Sequence, residues 1–167
     1  AAGGAGAWLP AYTGGNGINQ YDHFLATVSG AMSATDIDGD GKKDRLVPAG
    51  ILWMQGESDA NNEYATSIYK ENLALLIDSI RAAFDTPEMP VAIGRISDSH
   101  NDADSLVWTW GDAVREAQAE YVTADGNAAL VTSTDNYSYS DPWHYDSKGF
   151  LDLGEKFAEA IAGLRRR

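Results

Sequence analysis

Short apolar runs alternate with helical patterns along this chain, and that alternation is the tightest constraint on its fold. Residues 47–54 (VPAGILWM) lead into a buried strand that ends at Gln55-Gly56. Residues 90–94 (PVAIG) open a second strand, and residues 128–132 (AALVT) make a third. The segments between them carry apolar residues at helical spacing. Residues 18–34 place Tyr21, Phe24, Leu25 and Val28 on one face. Residues 60–84 do so more fully, with Tyr64, Ile68, Leu73, Leu76, Ile77, Ile80 and Phe84, before Asp85-Thr86-Pro87 breaks the run. Further helices are expected over 105–123 and, capped by Ser147, up to residue 164. Strand and helix in alternation predict an α/β protein whose parallel strands are joined by right-handed crossovers. Such sheets bind ligands beyond the carboxyl ends of their strands. Gln55-Gly56-Glu57 follows the first strand and Asp135 the third, so chemistry is expected there.

The 167 residues suffice for a single domain, expected to span 1–167, with a substantial core. No repeat or low-complexity linker divides them. A net charge of −13 argues against nucleic acid and anionic membrane surfaces, which need a basic face. The only basic run, Arg165-Arg166-Arg167, suits the end of a helix, where cations complement the dipole. The absence of cysteine excludes disulfides and thiolate metal sites. The apolar runs are too short to cross a bilayer.

Residues 50–59 (GILWMQGESD) end a strand in W-x-Q-G-E-S-D. This block resembles the third block of the sialate O-acetylesterase-like carbohydrate esterases, a branch of the SGNH hydrolases that includes carbohydrate esterase family six. Other pieces follow in the family's order. Ala2-Gly3-Gly4 with Ala7-Trp8-Leu9-Pro10 is similar to its G-G-T…W segment, with Ala5 where threonine is usual. Val114-Arg115-Glu116-Ala117-Gln118 resembles its V-R-E-A-Q helix. Asp141-Pro142-Trp143-His144, followed by Ser147, Gly149 and Leu153-Gly154, resembles its closing D-x-x-H block and last helix. The resemblance implies a three-layer α/β/α, flavodoxin-like parallel sheet and an enzyme that removes acetyl groups from sugars.

Ester hydrolysis needs a nucleophile, a base to deprotonate it and donors for the developing oxyanion. His144 suits the base, because an imidazole gives and takes protons near neutral pH. Its carboxylate partner is Asp141, three residues earlier, or Glu57, which some family members use. Gln55 and the backbone amide of Gly4 or Gly3 are the candidate oxyanion donors. Gln55 is equally suited to satisfying a strand end, and Glu57 or Asp59 to capping the next helix. Arg115 and Gln118 read as a salt bridge and a buried hydrogen-bonding group. Tyr137, Tyr139 and Trp143 flank the D-x-x-H block, where rings either stack on sugar or simply pack.

The family's first block, a strand leading to a G-Q-S-N-like turn with the nucleophilic serine, has no counterpart here. Ser29-Gly30 lies in a helix, Ser58 belongs to the Q-G-E-S-D turn, and the family places no nucleophile at Ser97 or Ser99. The resemblance therefore implies that the first strand or strands are missing and that the 47–54 strand has an open edge. A preceding segment, a second polypeptide or a second copy of the chain is the expected partner that completes it. The rival readings are a non-catalytic carbohydrate-binding remnant and a general, lipase-like esterase.

Residues 36–44 read D-x-D-G-D-G-x-x-D. Asp36, Asp38, Asp40 and Asp44, the Lys42 carbonyl and Gly41 at the turn match the start of an EF-hand-type loop, although position twelve is Val47. Structural calcium is expected there, remote from the chemistry, and it would suit a secreted or periplasmic protein. No cofactor is expected for catalysis.

Overall fold

A computed structural model of the protein describes residues 8–12, 19–100 and 106–166. Helix α1 (Gln20–Met32) comes first, then strand β1 (Ile51–Trp53), the short α2 (Glu63–Ser67) and the long α3 (Tyr69–Ala83). Strand β2 (Val91–Gly94), helix α4 (Gly111–Ala124), strand β3 (Ala128–Val131) and helix α5 (Ser147–Leu164) complete the order. The strands form one parallel sheet in the order β1-β2-β3. This is the expected α/β alternation, because each crossover helix buries an apolar stripe against the sheet.

The pleat divides the core in two. Val91 and Ile93 of β2 pack with Leu73, Leu76 and Ile77 of α3 and Val114 of α4. Ala92, between them, faces the other way, with Val131, Leu153 and Phe157 of α5. Alternation on a strand covered on both faces is what a central parallel strand requires. At Gly94, α5 comes so close that a Cβ would run into Met54 Sδ and lie 3.1 Å from Phe157 Cζ.

Several boundaries differ from the sequence expectation, each for a local reason. The 60–84 helix is broken into a 3-10 turn (Asp59–Asn61), α2 and α3. Asn62 caps α2 by accepting from the Ala65 amide at 2.9 Å, and Ile68 leaves helical geometry at φ −113°, ψ 8°. The break turns Tyr64 out to 73% exposure, so it is not part of the apolar face. Asp146, not Ser147, caps α5, accepting from the Gly149 amide at 2.7 Å. The 105–123 helix starts at Gly111, because the Val107 and Trp108 amides are taken by Asp98. Of residues 47–54 only Ile51–Trp53 pair in the sheet. Pro48 has no N–H to offer, and among the described residues nothing pairs on the far side of β1.

That far side is open. Leu52, the middle residue of β1, is 57% exposed. Apolar grooves of about 430 and 450 Å³ flank the strand, one lined by Trp8, Phe24, Val47 and Phe84, the other by Leu52, Phe157 and Ile161. Among the described residues, no strand covers this edge of β1.

The amino ends of β2 and β3 are tied together by an ion pair. Arg81 of α3 meets Asp125, just past α4, at 2.7 Å, with both side chains 11% exposed. Asp125 also accepts from the Tyr121 hydroxyl and the Asn127 amide, and Arg81 donates to the Met89 carbonyl. Burial pushes the Asp125 carboxyl up, but the bonds from Arg81, Tyr121 and Asn127 outweigh it and hold it below the usual range. Removing one member of such a pair leaves the other charge buried, at a cost of about 3–5 kcal/mol. Asp125→Ala should therefore lower the unfolding free energy by that amount in urea titrations. Because the folded carboxyl is the stronger acid, its contribution is complete above the unfolded value of 3.8 and is lost as the pH falls through the folded value. The variant should consequently lose less stability than the parent on acidification below about pH 4.

Candidate active site

The strand ends that carry the site are pinned from behind. Gln118 of α4 is fully buried. Its Oε1 accepts from the Ile96 amide at 3.1 Å, and its Nε2 donates to the Gln55 carbonyl at 3.1 Å. The Tyr69 hydroxyl donates to that same carbonyl at 2.7 Å, and burial pushes this phenol far up. One amide thus ties the exits of β1 and β2, as expected for a buried hydrogen-bonding group.

Gly56 then turns the chain at φ +150°, where a Cβ would lie 2.8 Å from Val114 Cγ1. Only glycine fits both the conformation and the space. The turn presents Gln55 and Glu57. Gln55 Nε2 donates to Asp59 Oδ2 at 2.6 Å, which leaves its second N–H for an oxyanion role. Gln55 Oε1 is buried without a partner among the described residues. Asp59 is itself buried and does not cap α2, a role Asn62 fills.

Glu57 is half-buried. Burial raises its carboxyl above the usual range; the Glu57 and Gly56 amides oppose this, Asp59 adds to it, and the field of His144 pulls it down. His144 is therefore a neighbour of Glu57, but its hydrogen-bonding partner is Asp141. His144 Nδ1 lies 2.9 Å from Asp141 Oδ1 and 2.8 Å from Oδ2. Asp141 Oδ1 also accepts from the Trp143 and His144 amides, both at 2.8 Å, in one tight turn. The imidazole and these amides hold the Asp141 carboxyl below its usual range. With Nδ1 engaged, His144 has Nε2 for proton transfer. The ring is 65% exposed.

The D-x-x-H block is the tip of a small hairpin, which sequence patterning reads only as loop. Tyr139 and Tyr145 form an antiparallel bridge. The Ser140 amide donates to the His144 carbonyl at 2.9 Å, and the Asp146 amide to the Ser138 carbonyl at 2.8 Å. Ser99 Oγ, beyond β2, donates to the Pro142 carbonyl at 2.8 Å and ties down the tip. Tyr139 is half-buried, its ring 5.0 Å from that of Tyr145 and its hydroxyl bonded to Ser97, so it packs. Tyr137 is also committed, bonding Asp152 and Ser133. Trp143 alone of the three flanking rings is exposed, at 58%. Asp135 is taken by Arg95 and, at 3.2 Å, by Arg115, the expected salt bridge. Gly4 lies outside the described residues. Sequence reading passed over Ser97, Asp98 and Ser99 as partners of the site; their position after β2 in a parallel sheet was the available signal.

The acidic loop folds as a turn of its own. Ligand atoms of Asp36, Asp38 and Asp40 lie within 4.8 Å of one another. Asp36 accepts from the Gly39 and Gly41 amides, with Gly41 at φ +79°. Asp44 is drawn away to accept from the Ile37 amide at 2.7 Å, and Lys42 Nζ reaches Asp40 at 2.6 Å.

Comparison with known proteins bears on the family and the fold. The profile of the family described as "Carbohydrate esterase, sialic acid-specific acetylesterase" matches residues 1–163. Among solved structures, a protein of Arabidopsis thaliana superposes with a TM-score of 0.68 at 21% identity, over 96% of this chain and 56% of that one. A carbohydrate acetylesterase from Xanthomonas citri superposes with a TM-score of 0.56 at 22% identity, over 70% of this chain and 26% of that one. The chain thus spans about half of the first structure and a quarter of the second. No curated protein sequence matches it.

The raised Glu57 carboxyl has a signed consequence. Its neutral form is favoured by the fold, so stability should fall as the pH rises from the unfolded value of 4.5 through the higher folded value. Glu57→Gln should abolish that fall, as melting temperatures measured across pH 4–7 would reveal. An identical pH dependence in both proteins would show that Glu57 carries no buried charge.

Proposed function

The chain belongs to the carbohydrate esterase family of sialic acid-specific acetylesterases, and on that premise we propose that it takes part in hydrolysing O-acetyl esters on carbohydrate, with its nucleophilic serine supplied from outside these residues. The observation that carries the reading is the Asp141–His144 pair at 2.8 Å, set beyond the carboxyl end of a parallel sheet. His144 Nε2 takes the serine proton as the serine oxygen attacks the acetyl carbonyl, then returns it to the departing sugar alkoxide. Asp141 holds the ring's orientation and stabilises the imidazolium formed between those steps. The spare N–H of Gln55 and the Gly4 amide are the proposed oxyanion donors. Trp143 offers an exposed ring on which a sugar could stack.

Within the described residues, Ser97 and Ser99 both spend their hydroxyl hydrogens on carbonyls, of Thr134 and Pro142. The open edge of β1, which leads directly to Gln55, supports a strand from the serine-bearing segment alongside it. That segment is a preceding stretch of the same gene product or a second polypeptide; a second copy of this chain would cover the edge without supplying the serine.

We further propose a structural calcium ion on Asp36, Asp38, Asp40 and the Lys42 carbonyl, with Asp44 joining by giving up the Ile37 amide. Neighbouring carboxylates at this spacing repel unless a cation neutralises them. Such an ion would suit a secreted or periplasmic location.

Both parts are open to direct measurement. In an active preparation, His144→Ala should reduce acetyl ester turnover on the order of 10²–10⁴-fold, and unchanged turnover would remove His144 as the base. A fluorophosphonate probe followed by intact-mass spectrometry should label a serine outside residues 1–167; a label on this chain would place the nucleophile within it. Calcium should raise the melting temperature in proportion to the logarithm of its concentration above Kd. An Asp36→Asn, Asp38→Asn variant should lose that response. Indifference of the parent protein to both calcium and chelator would end the metal reading.

A further inference from the structure

Behind the catalytic pair lies a cluster of hydroxyls that the proposed chemistry does not use. Ser97, just past β2, is buried. Its Oγ donates at 2.9 Å to the Thr134 carbonyl, a group that can only accept. A serine hydroxyl has one hydrogen and two lone pairs. The bonds from Ser97 Oγ to Tyr139 at 2.6 Å and to Tyr145 at 2.9 Å must therefore be donated by the two phenols. Burial pushes both phenols above their ordinary value, so both keep the proton they donate at neutral pH. One hydroxyl thus uses its full hydrogen-bonding capacity on three groups.

The identity of those groups matters. Tyr139 and Tyr145 are the two facing legs of the hairpin whose tip is Asp141-Pro142-Trp143-His144. Thr134 sits in the 3-10 turn after β3. Ser97 therefore fastens both legs of the base-bearing hairpin to the exits of β2 and β3. The Asp141–His144 contact is local to the tip and does not by itself fix where the tip sits relative to Gln55 and Glu57. That placement depends on what holds the legs: beyond Ser97 they have the packing of Tyr137, Tyr139 and Tyr145 against Val131, Leu153 and Phe157, the Asp146 cap on α5 and the bond from Ser99 Oγ.

We infer that Ser97 is a positioning residue, whose buried hydroxyl seats the His144 hairpin against the β1 and β2 strand ends through Tyr139 and Tyr145. The inference rests on the proposed role of His144 for its functional meaning, but the seating can be measured without turnover.

The test is a double-mutant cycle on the titration of Glu57, followed by carboxyl NMR at low ionic strength in the chain itself. In the parent, His144→Ala should raise the Glu57 midpoint, because the field of His144 pulls that carboxyl down. In Ser97→Ala the same change should no longer move it. Tyr139→Phe and Tyr145→Phe each delete one hydroxyl with no loss of ring packing, so they keep the test alive if Ser97→Ala folds poorly; each should weaken the coupling. Amide exchange of Ser140 and Asp146 should rise at least tenfold in Ser97→Ala, with α3 amides unchanged. An equal shift of the Glu57 midpoint in all backgrounds would overturn the inference, as would a loss of protection spread evenly over the fold. In an active preparation, kcat should fall by ten- to a hundredfold while KM stays within twofold. Unaffected turnover in His144→Ala would refute the base, a separate result from a retained coupling, which would refute the anchor.

Discussion

Two side chains, Tyr69 and Gln118, converge on the carbonyl of Gln55, and the geometry of the site follows from that convergence. A strand end that leaves the sheet has backbone groups to satisfy away from water, and each one left unpaired costs about 1–3 kcal/mol. Here the Gln55 carbonyl is paired from α3 and α4 together, and the second end of the Gln118 amide captures Ile96 beyond β2. The exits of β1 and β2 are thereby locked to the helices that cover them. Gly56 can turn sharply there because it has no side chain, and Val114 occupies the space that one would need.

The two carboxylates near His144 are sorted by surroundings rather than by type. Asp141 is exposed and surrounded by donors, so it stays ionised and can hold an imidazolium. Glu57 is desolvated and beside Asp59, so its charge is disfavoured. A pair of acids whose environments push them apart divides its labour without further machinery. The exposed partner bonds the ring, and the half-buried one makes no bond to it among the described residues.

The alternation of strands and helices was legible because apolar periodicity reports local geometry. The break at Ile68 was not, since it depends on Asn62 capping a five-residue helix and on the buried Thr66 hydroxyl reaching the Asp59 carbonyl. Asp146 outcompeted Ser147 as a cap for a similar reason: both residue types suit the position, and the turn closing the hairpin decides between them. The choice between Asp141 and Glu57 was open in the sequence. Asp141 reaches the ring within a four-residue turn, whereas Glu57 enters from another strand and stops short of a bond.

By itself, the sequence determined the α/β alternation, the family, and the short blocks that carry Gln55, Glu57, Asp141 and His144, since these depend on periodicity and on residues close together in the chain. Only the tertiary structure decided which carboxylate meets the imidazole, that Tyr139 packs while Trp143 stays exposed, and that Ser97 joins the two legs of the hairpin. The Ser97 contacts to Tyr139 and Tyr145 span 42 and 48 residues of chain, and they form only because parallel strands bring their carboxyl ends to one side. No local pattern encodes such a meeting; the crossover helices bring it about.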